Sequence, residues 1–218
     1  MNAADDRRTV RALLDAHGRT YAEEAGIRLR DTPQPLYRLL VLACLLSARI
    51  RASVAVATAR SLADAGLKDP RRMADASWQR RVDALGAGGY RRYDERTATQ
   101  LGEGAELLLD RYGGDVRRMR AAADGDTGRL PEILQEIPGL GPAGAGIFLR
   151  EVQGVWPELL PYLDDKALRG ATRLGLPDRP GPLARLVDPE DTPALAAALV
   201  RAALDQEVVE DVRRRAEE

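Results

Sequence analysis

Apolar positions along the chain recur at helical spacing almost throughout. Leu36, Leu39, Leu40, Ala43 and Leu46 repeat every three or four residues, behind Pro33 and Pro35, which open the segment. Ala55, Val56, Ala59, Leu62 and Ala63 form a second apolar stripe, closed by Gly66. Ser77 is placed to cap a helix over Trp78 to Leu85, and Gly86, Gly88 and Gly89 are placed to stop it. Asp94 to Tyr112 carries Ala98, Leu101, Ala105, Leu108 and Leu109 on one face, with Gly113-Gly114 behind it. Asp126 or Thr127 is placed to cap a helix reaching Glu136, and further helices are expected near 142–152, 164–175 and 191–215. No alternation of period two is long enough for a strand, and Pro177 to Pro182 reads as a loop. The expectation is an all-α protein of eight to eleven short helices with brief connections.

Composition narrows the chemistry. The chain has 218 residues, 44% hydrophobic and 31% charged, which suits a folded globule with a core that needs no staples. Cys44 is the only cysteine and His17 the only histidine. A disulfide framework, a Cys-ligated zinc and an iron–sulfur cluster within one chain are thereby excluded. The longest apolar run, Leu39 to Ala48, is too short to cross a bilayer. Met1 to Arg8 is polar and lacks the apolar stretch of a secretory signal. A cytoplasmic, nucleoid-associated protein without a membrane role is expected. Residues 188–218 carry nine acids against four arginines, or −5, so a chain total of −1 leaves +4 on the remainder. That excess permits a phosphate-facing surface without requiring one. The only lysines are Lys68 and Lys166.

The most informative stretch is Ile137-Pro138-Gly139-Leu140-Gly141-Pro142-Ala143-Gly144. Pro138 cannot continue a helix, because it lacks an N–H and clashes with the preceding turn. Gly139 and Gly141 can take positive φ and present bare amides. Pro142 suits the first turn of the next helix. The outcome is a tight helix–hairpin–helix whose amides and helix N-terminus favour a phosphate. A plain helix connection, with glycines for close packing, is the other reading.

This stretch resembles the hairpin of the helix–hairpin–helix (HhH-GPD) superfamily of DNA base-excision glycosylases, typified by endonuclease III. Leu45-Leu46-Ser47-Ala48-Arg49 resembles that superfamily's Leu-Leu-Ser-Ala-Gln segment, and Leu163-Asp164-Asp165-Lys166-Ala167-Leu168-Arg169 its Val-Asp-Thr-His-x-x-Arg segment. Gly86 to Arg96 is similar, more loosely, to its Gly-x-Tyr-x-x-Lys-Ala stretch. The resemblance spans about residues 30 to 175. It implies a two-lobed fold with one barrel-like lobe over 33–145 and a second built from 1–32 with 146–218, and DNA between them. It implies a monomer acting on double-stranded DNA that contains a damaged base.

Carried over residue by residue, the resemblance makes Asp164 the catalytic carboxylate. Breaking an N-glycosidic bond builds positive charge on the sugar, which a nearby carboxylate stabilises while it activates water. On its residues alone, Asp164 reads first as a helix cap, and only the resemblance favours catalysis; Asp165 competes with it if the register slips by one. Pro138, Gly139, Leu140, Gly141, Ala143 and Gly144 would hold the DNA backbone. Arg49 stands where the superfamily inserts a side chain into the gap left by the flipped base, although a surface arginine reads as well. Tyr90, Arg92 and Lys166 are further candidates for pocket or phosphate contacts.

Two departures define the expected chemistry. Bifunctional relatives carry at the Ala143 position a lysine that attacks the sugar; alanine cannot. Base release without strand cleavage is therefore expected. The superfamily's four cluster cysteines have no counterparts, so no cofactor is expected beyond a monovalent cation at the hairpin, and no metal site is assigned. A non-catalytic DNA-binding protein using the same hairpin is the alternative, and a helical interaction protein a third.

Overall fold

The computed structural model describes residues 3–217. Among them the chain forms fourteen α-helices and no strand. In order these are α1 (Ala3–His17), α2 (Tyr21–Glu24), α3 (Pro33–Ser47), α4 (Ala52–Asp64), α5 (Pro70–Asp75), α6 (Trp78–Ala87) and α7 (Asp94–Tyr112). They continue with α8 (Val116–Ala122), α9 (Leu130–Leu134), α10 (Pro142–Val152), α11 (Asp165–Leu174), α12 (Pro180–Ala184), α13 (Thr192–Leu204) and α14 (Gln206–Glu217). Two 3-10 turns lie at Pro157–Leu159 and Pro189–Asp191. The all-α expectation holds, with more and shorter helices than the apolar periodicity suggested.

Caps explain many of the boundaries. The Ser77 side chain accepts from the Arg80 amide, as its position ahead of Trp78 implies. Asp69 and Asp115 cap α5 and α8 in the same way. Gly113 ends α7 in the left-handed conformation at φ 60°. The helix expected over 191–215 is two helices. Asp205 is extended, and its side chain accepts from the Glu207 amide at 2.9 Å, so it starts α14 rather than continuing α13. Arg173 satisfies the freed end of α13, donating to the carbonyls of Ala202 at 2.7 Å and Ala203 at 2.9 Å. The helix expected to reach Glu136 is the short α9, because backbone turns closing on Ile133 and Leu134 end it.

The chain divides into two compact units. One takes the chain up to Tyr21 and from Leu149 onward; the other is Ala22–Phe148. In the 22–148 unit, α3 is the central helix. Leu36, Leu39, Leu42 and Leu45 are fully buried on it, with Leu62, Leu85, Leu108, Met119 and Phe148 also in that core. Arg81 ties α5, α6 and α7 together by donating to the carbonyls of Met73, Ala76 and Ala98. In the other unit α13 is the central helix, with Leu195 to Val200 buried on every side, and it packs against α11 and α1. Trp156 is buried there as a packing anchor. Trp78 is not: it is 41% exposed, and its indole N–H donates to the Glu95 carbonyl and the Thr99 hydroxyl. No described helix is long and apolar enough to cross a membrane.

Candidate functional site

The hairpin lies within the 22–148 unit. After α9 the Leu140 amide donates to the Ile137 carbonyl at 3.0 Å, closing a turn around Pro138 and Gly139. Gly139 has φ 85°, which only glycine adopts without strain. The first bond of α10 runs from the Ala145 amide to the Gly141 carbonyl. The amides of Ala143 and Gly144, at the open end of α10, find no acceptor in the protein. Gly139, Gly141, Pro142 and Ala143 are exposed and Gly144 is buried, so the donor edge meets solvent at its Ala143 end. Leu140 is buried beneath it. Gly144 lets the turn sit down on α3: a Cβ there would lie 2.7 Å from the Leu140 side chain and 3.5 Å from that of Ser47.

Beside the hairpin lies a cavity of about 590 Å³. The C-terminal end of α3 and the residues just after it supply Cys44, Ser47, Ala48 and Arg49. The approach to α7 and its first turns supply Tyr90, Tyr93, Arg96, Thr97, Gln100 and Leu101, and Gln135 with Ile137 to Gly141 completes the wall. Arg49 and Arg96 are exposed and make no ion pair, and no carboxylate lines the cavity. Tyr90 is buried, and its hydroxyl is 3.1 Å from that of Thr97; burial raises its pKa above the usual tyrosine value. Arg92 lies off the cavity wall, its guanidinium 5.3 Å from the centre of the Tyr93 ring. Burial pushes the Cys44 thiol up to about 12, which leaves it protonated and a poor nucleophile. Three features of the sequence that are far apart thus meet here: the 45–49 segment, the 90–96 stretch and the hairpin.

The second group of candidates lies in the other unit. Asp164 caps α11, its Oδ1 accepting from the Ala167 amide at 3.1 Å. Its Oδ2 pairs with the Arg150 guanidinium. Arg150, on α10, is nearly sealed, with its side chain 6% exposed against 24% for Asp164. Gln153 is fully buried one turn on. Its amide donates to the carbonyls of Arg150 at 2.8 Å and Tyr162 at 3.0 Å and accepts from the Tyr162 amide at 2.8 Å. Tyr162 has its pKa raised, chiefly by burial and next by the Asp164 charge. Asp165 is exposed at the start of α11, and Lys166 is half-buried without a partner.

Arg150 and Gln153 escaped the sequence reading. The signal was present: Arg150-Glu151 interrupts an apolar run, Ile147 to Val152, and both charges are buried. Buried charges must be paired, so each predicts a partner without saying which. Gln100 was also missed. It is half-buried, packs against Gly139 and leaves its side-chain amide unbonded at the cavity wall. Among the described residues, no cluster of three or more His, Cys, Asp or Glu side chains gathers to hold a metal.

No known family's sequence pattern matches the chain, and no curated protein matches it either. A solved structure does. It is a trapped covalent intermediate of endonuclease III with DNA, an estranged-adenine complex, at 15% identity and a TM-score of 0.55, covering 92% of this chain and 85% of that one. The protein therefore has an all-α, endonuclease III-like fold.

Proposed function

We propose that the protein is a DNA glycosylase that hydrolyses the bond between a damaged or mispaired base and its sugar, leaving the strand intact. The observation that carries this reading is the donor edge of the hairpin beside a cavity rimmed by Arg49 and Arg96, set in an endonuclease III-like fold. The unpaired amides of Ala143 and Gly144 suit a phosphate oxygen without a side-chain charge. Arg49, exposed at the cavity mouth, suits the space left when a base leaves the stack. The cavity, at about 590 Å³, has room for a single base with its sugar. Asp164 supplies the carboxylate that stabilises positive charge on the sugar and activates water. Ala143 carries no amine, so no Schiff base forms at the hairpin.

A second reading has its own observation. Both oxygens of Asp164 already hold partners, the Ala167 amide and Arg150, as a purely structural cap would. On that reading the protein binds DNA through the hairpin and performs no chemistry. A panel of duplexes, each with one altered base, separates the two. After incubation each sample is split, and half is heated in alkali to break abasic sites. Breaks only after alkali establish the glycosylase, and Asp164→Asn then slows release by orders of magnitude, to a residual rate, while DNA binding persists. Breaks without alkali refute strand-sparing hydrolysis and direct attention to Lys166. Tight binding without breaks across the panel establishes the binding protein.

A further inference from the structure

We propose that Arg150 is a positioning residue for base release, holding the Asp164 carboxylate in one orientation with its outer edge open. The inference rests on the glycosylase reading of Asp164 and adds a residue to it.

A guanidinium is charged at every accessible pH and is costly to bury without an anion. Arg150 is 5% exposed and pairs with Asp164. The pair is asymmetric: the cation is sealed, while the carboxylate keeps a solvent-facing edge. An ionised carboxylate has about four acceptor positions. Arg150 and the Ala167 amide each occupy one, on different oxygens, so the carboxyl plane is fixed from two sides and lone pairs remain for a water or a sugar.

A second, independent contact set acts on the same segment. Gln153, in the turn just after α10 and three residues beyond Arg150, grips Tyr162 through both its side-chain carbonyl and its side-chain amide. The last turn of α10 and the turn that follows it thereby fix the side chain of Asp164 and the backbone two residues before it. A cap alone needs only the Ala167 amide. The added hold restricts the rotation of the carboxylate, which matters when a carboxylate must meet a reacting atom: a misplacement of about 1 Å can cost on the order of 100-fold in rate.

The test uses the full chain and the best substrate from the duplex panel. Single-turnover base release, DNA affinity and thermal stability are measured for wild type, Arg150→Gln, Arg150→Lys, Asp164→Asn and the Gln/Asn double variant. Arg150→Gln is expected to slow release roughly 100-fold with DNA affinity within about threefold of wild type. Arg150→Lys, which keeps the charge but not the planar fork, is expected to fall between the two. In the Asp164→Asn background Arg150→Gln is expected to cost nothing further, because its effect passes through Asp164. Folded Arg150→Gln with a wild-type rate overturns the proposal. So do losses that multiply in the double variant, which mark a general structural effect. Should Arg150→Gln fail to fold, Arg150→Lys decides, and a wild-type rate in it overturns the proposal. If the wild-type protein releases no base from any duplex, the glycosylase reading itself has failed and takes this role with it.

Discussion

Gly170→Ala should destabilise the protein, although elementary helix propensity says the opposite. Gly170 lies in the middle of α11, where alanine in place of glycine contributes about 1 kcal/mol of stability when nothing else changes. The packing reverses the sign. A Cβ built on Gly170 falls 1.8 Å from the Leu199 carbonyl oxygen and 2.7 Å from its carbon, with the Ala203 amide nitrogen at 3.1 Å. An ordinary nonbonded contact needs about 3.5 Å, so α11 and α13 must move apart by well over 1 Å along that line. The obstacle is backbone inside a buried helix, and no side-chain rotation relieves it. Overpacking of a rigid core costs about 3 kcal/mol at the upper end of its usual range, which leaves a net loss of about 2 kcal/mol. For a chain of this size that lowers Tm by about 4–8 °C. Calorimetry or thermal circular dichroism measures it directly, with Gly86→Ala as a control, since a Cβ there meets nothing within 4 Å. A Gly170→Ala protein with an unchanged or higher Tm would falsify the close approach of the two helices. If the approach is real, base release should suffer more than DNA binding, because Asp164 caps the displaced helix.

Other expectations follow from single contacts. Arg81→Met removes three donors that hold carbonyls of Met73, Ala76 and Ala98, and should lower stability by about 3 kcal/mol in urea unfolding, while DNA affinity stays near wild type. Burial holds the Tyr37 hydroxyl far above the tyrosine range, so the folded state keeps its proton where the unfolded chain loses it near pH 10. Stability should therefore be level with respect to this group below about pH 10 and fall as pH rises beyond it; a urea midpoint unchanged between pH 9 and 11 refutes the assignment. Gly139→Ala must place a Cβ at φ 85° and 3.0 Å from the Gln100 amide oxygen, and should weaken DNA binding about tenfold with little change in the salt dependence, which reports arginines rather than amides. The cavity carries Arg49 and Arg96 and no carboxylate, so neutral bases rich in carbonyls should be released in preference to cationic alkylated purines; preferential release of a methylated, charged purine refutes this.

How much of this was legible beforehand divides along the range of the forces. The hairpin could be read from eight residues because proline and glycine act on their own backbone, and the left-handed Gly139 and the start of α10 at Pro142 follow from local sterics. The Ser77 cap and the Gly113 stop were legible for the same reason. The break between α13 and α14 was missed because the apolar stripe runs across it, while a single aspartate turns the chain. Short helices such as α8 and α12 offer too few turns for a period to show. The cavity wall draws on three segments that only the tertiary fold brings together.

Asp164 marks where local reading stops being able to choose. An aspartate ahead of a helix satisfies the first amides, and that geometry holds a carboxylate anion in place whether or not a substrate ever meets it. Cap and catalyst are therefore not rival conformations; one arrangement serves both. What distinguishes them is how much more restraint the carboxylate receives than a cap requires, and what is left open on its far side. Arg150 supplies the added restraint from fourteen residues away, and the difference in exposure between the two partners leaves the anion accessible and the cation hidden. A pair built for stability alone gains nothing from that asymmetry, because an apolar pair of the same shape would serve a core as well or better. On the glycosylase reading, the charge pair at the head of α11 is explained by work at the open edge of Asp164; on the binding reading, it is the cap of the helix behind it.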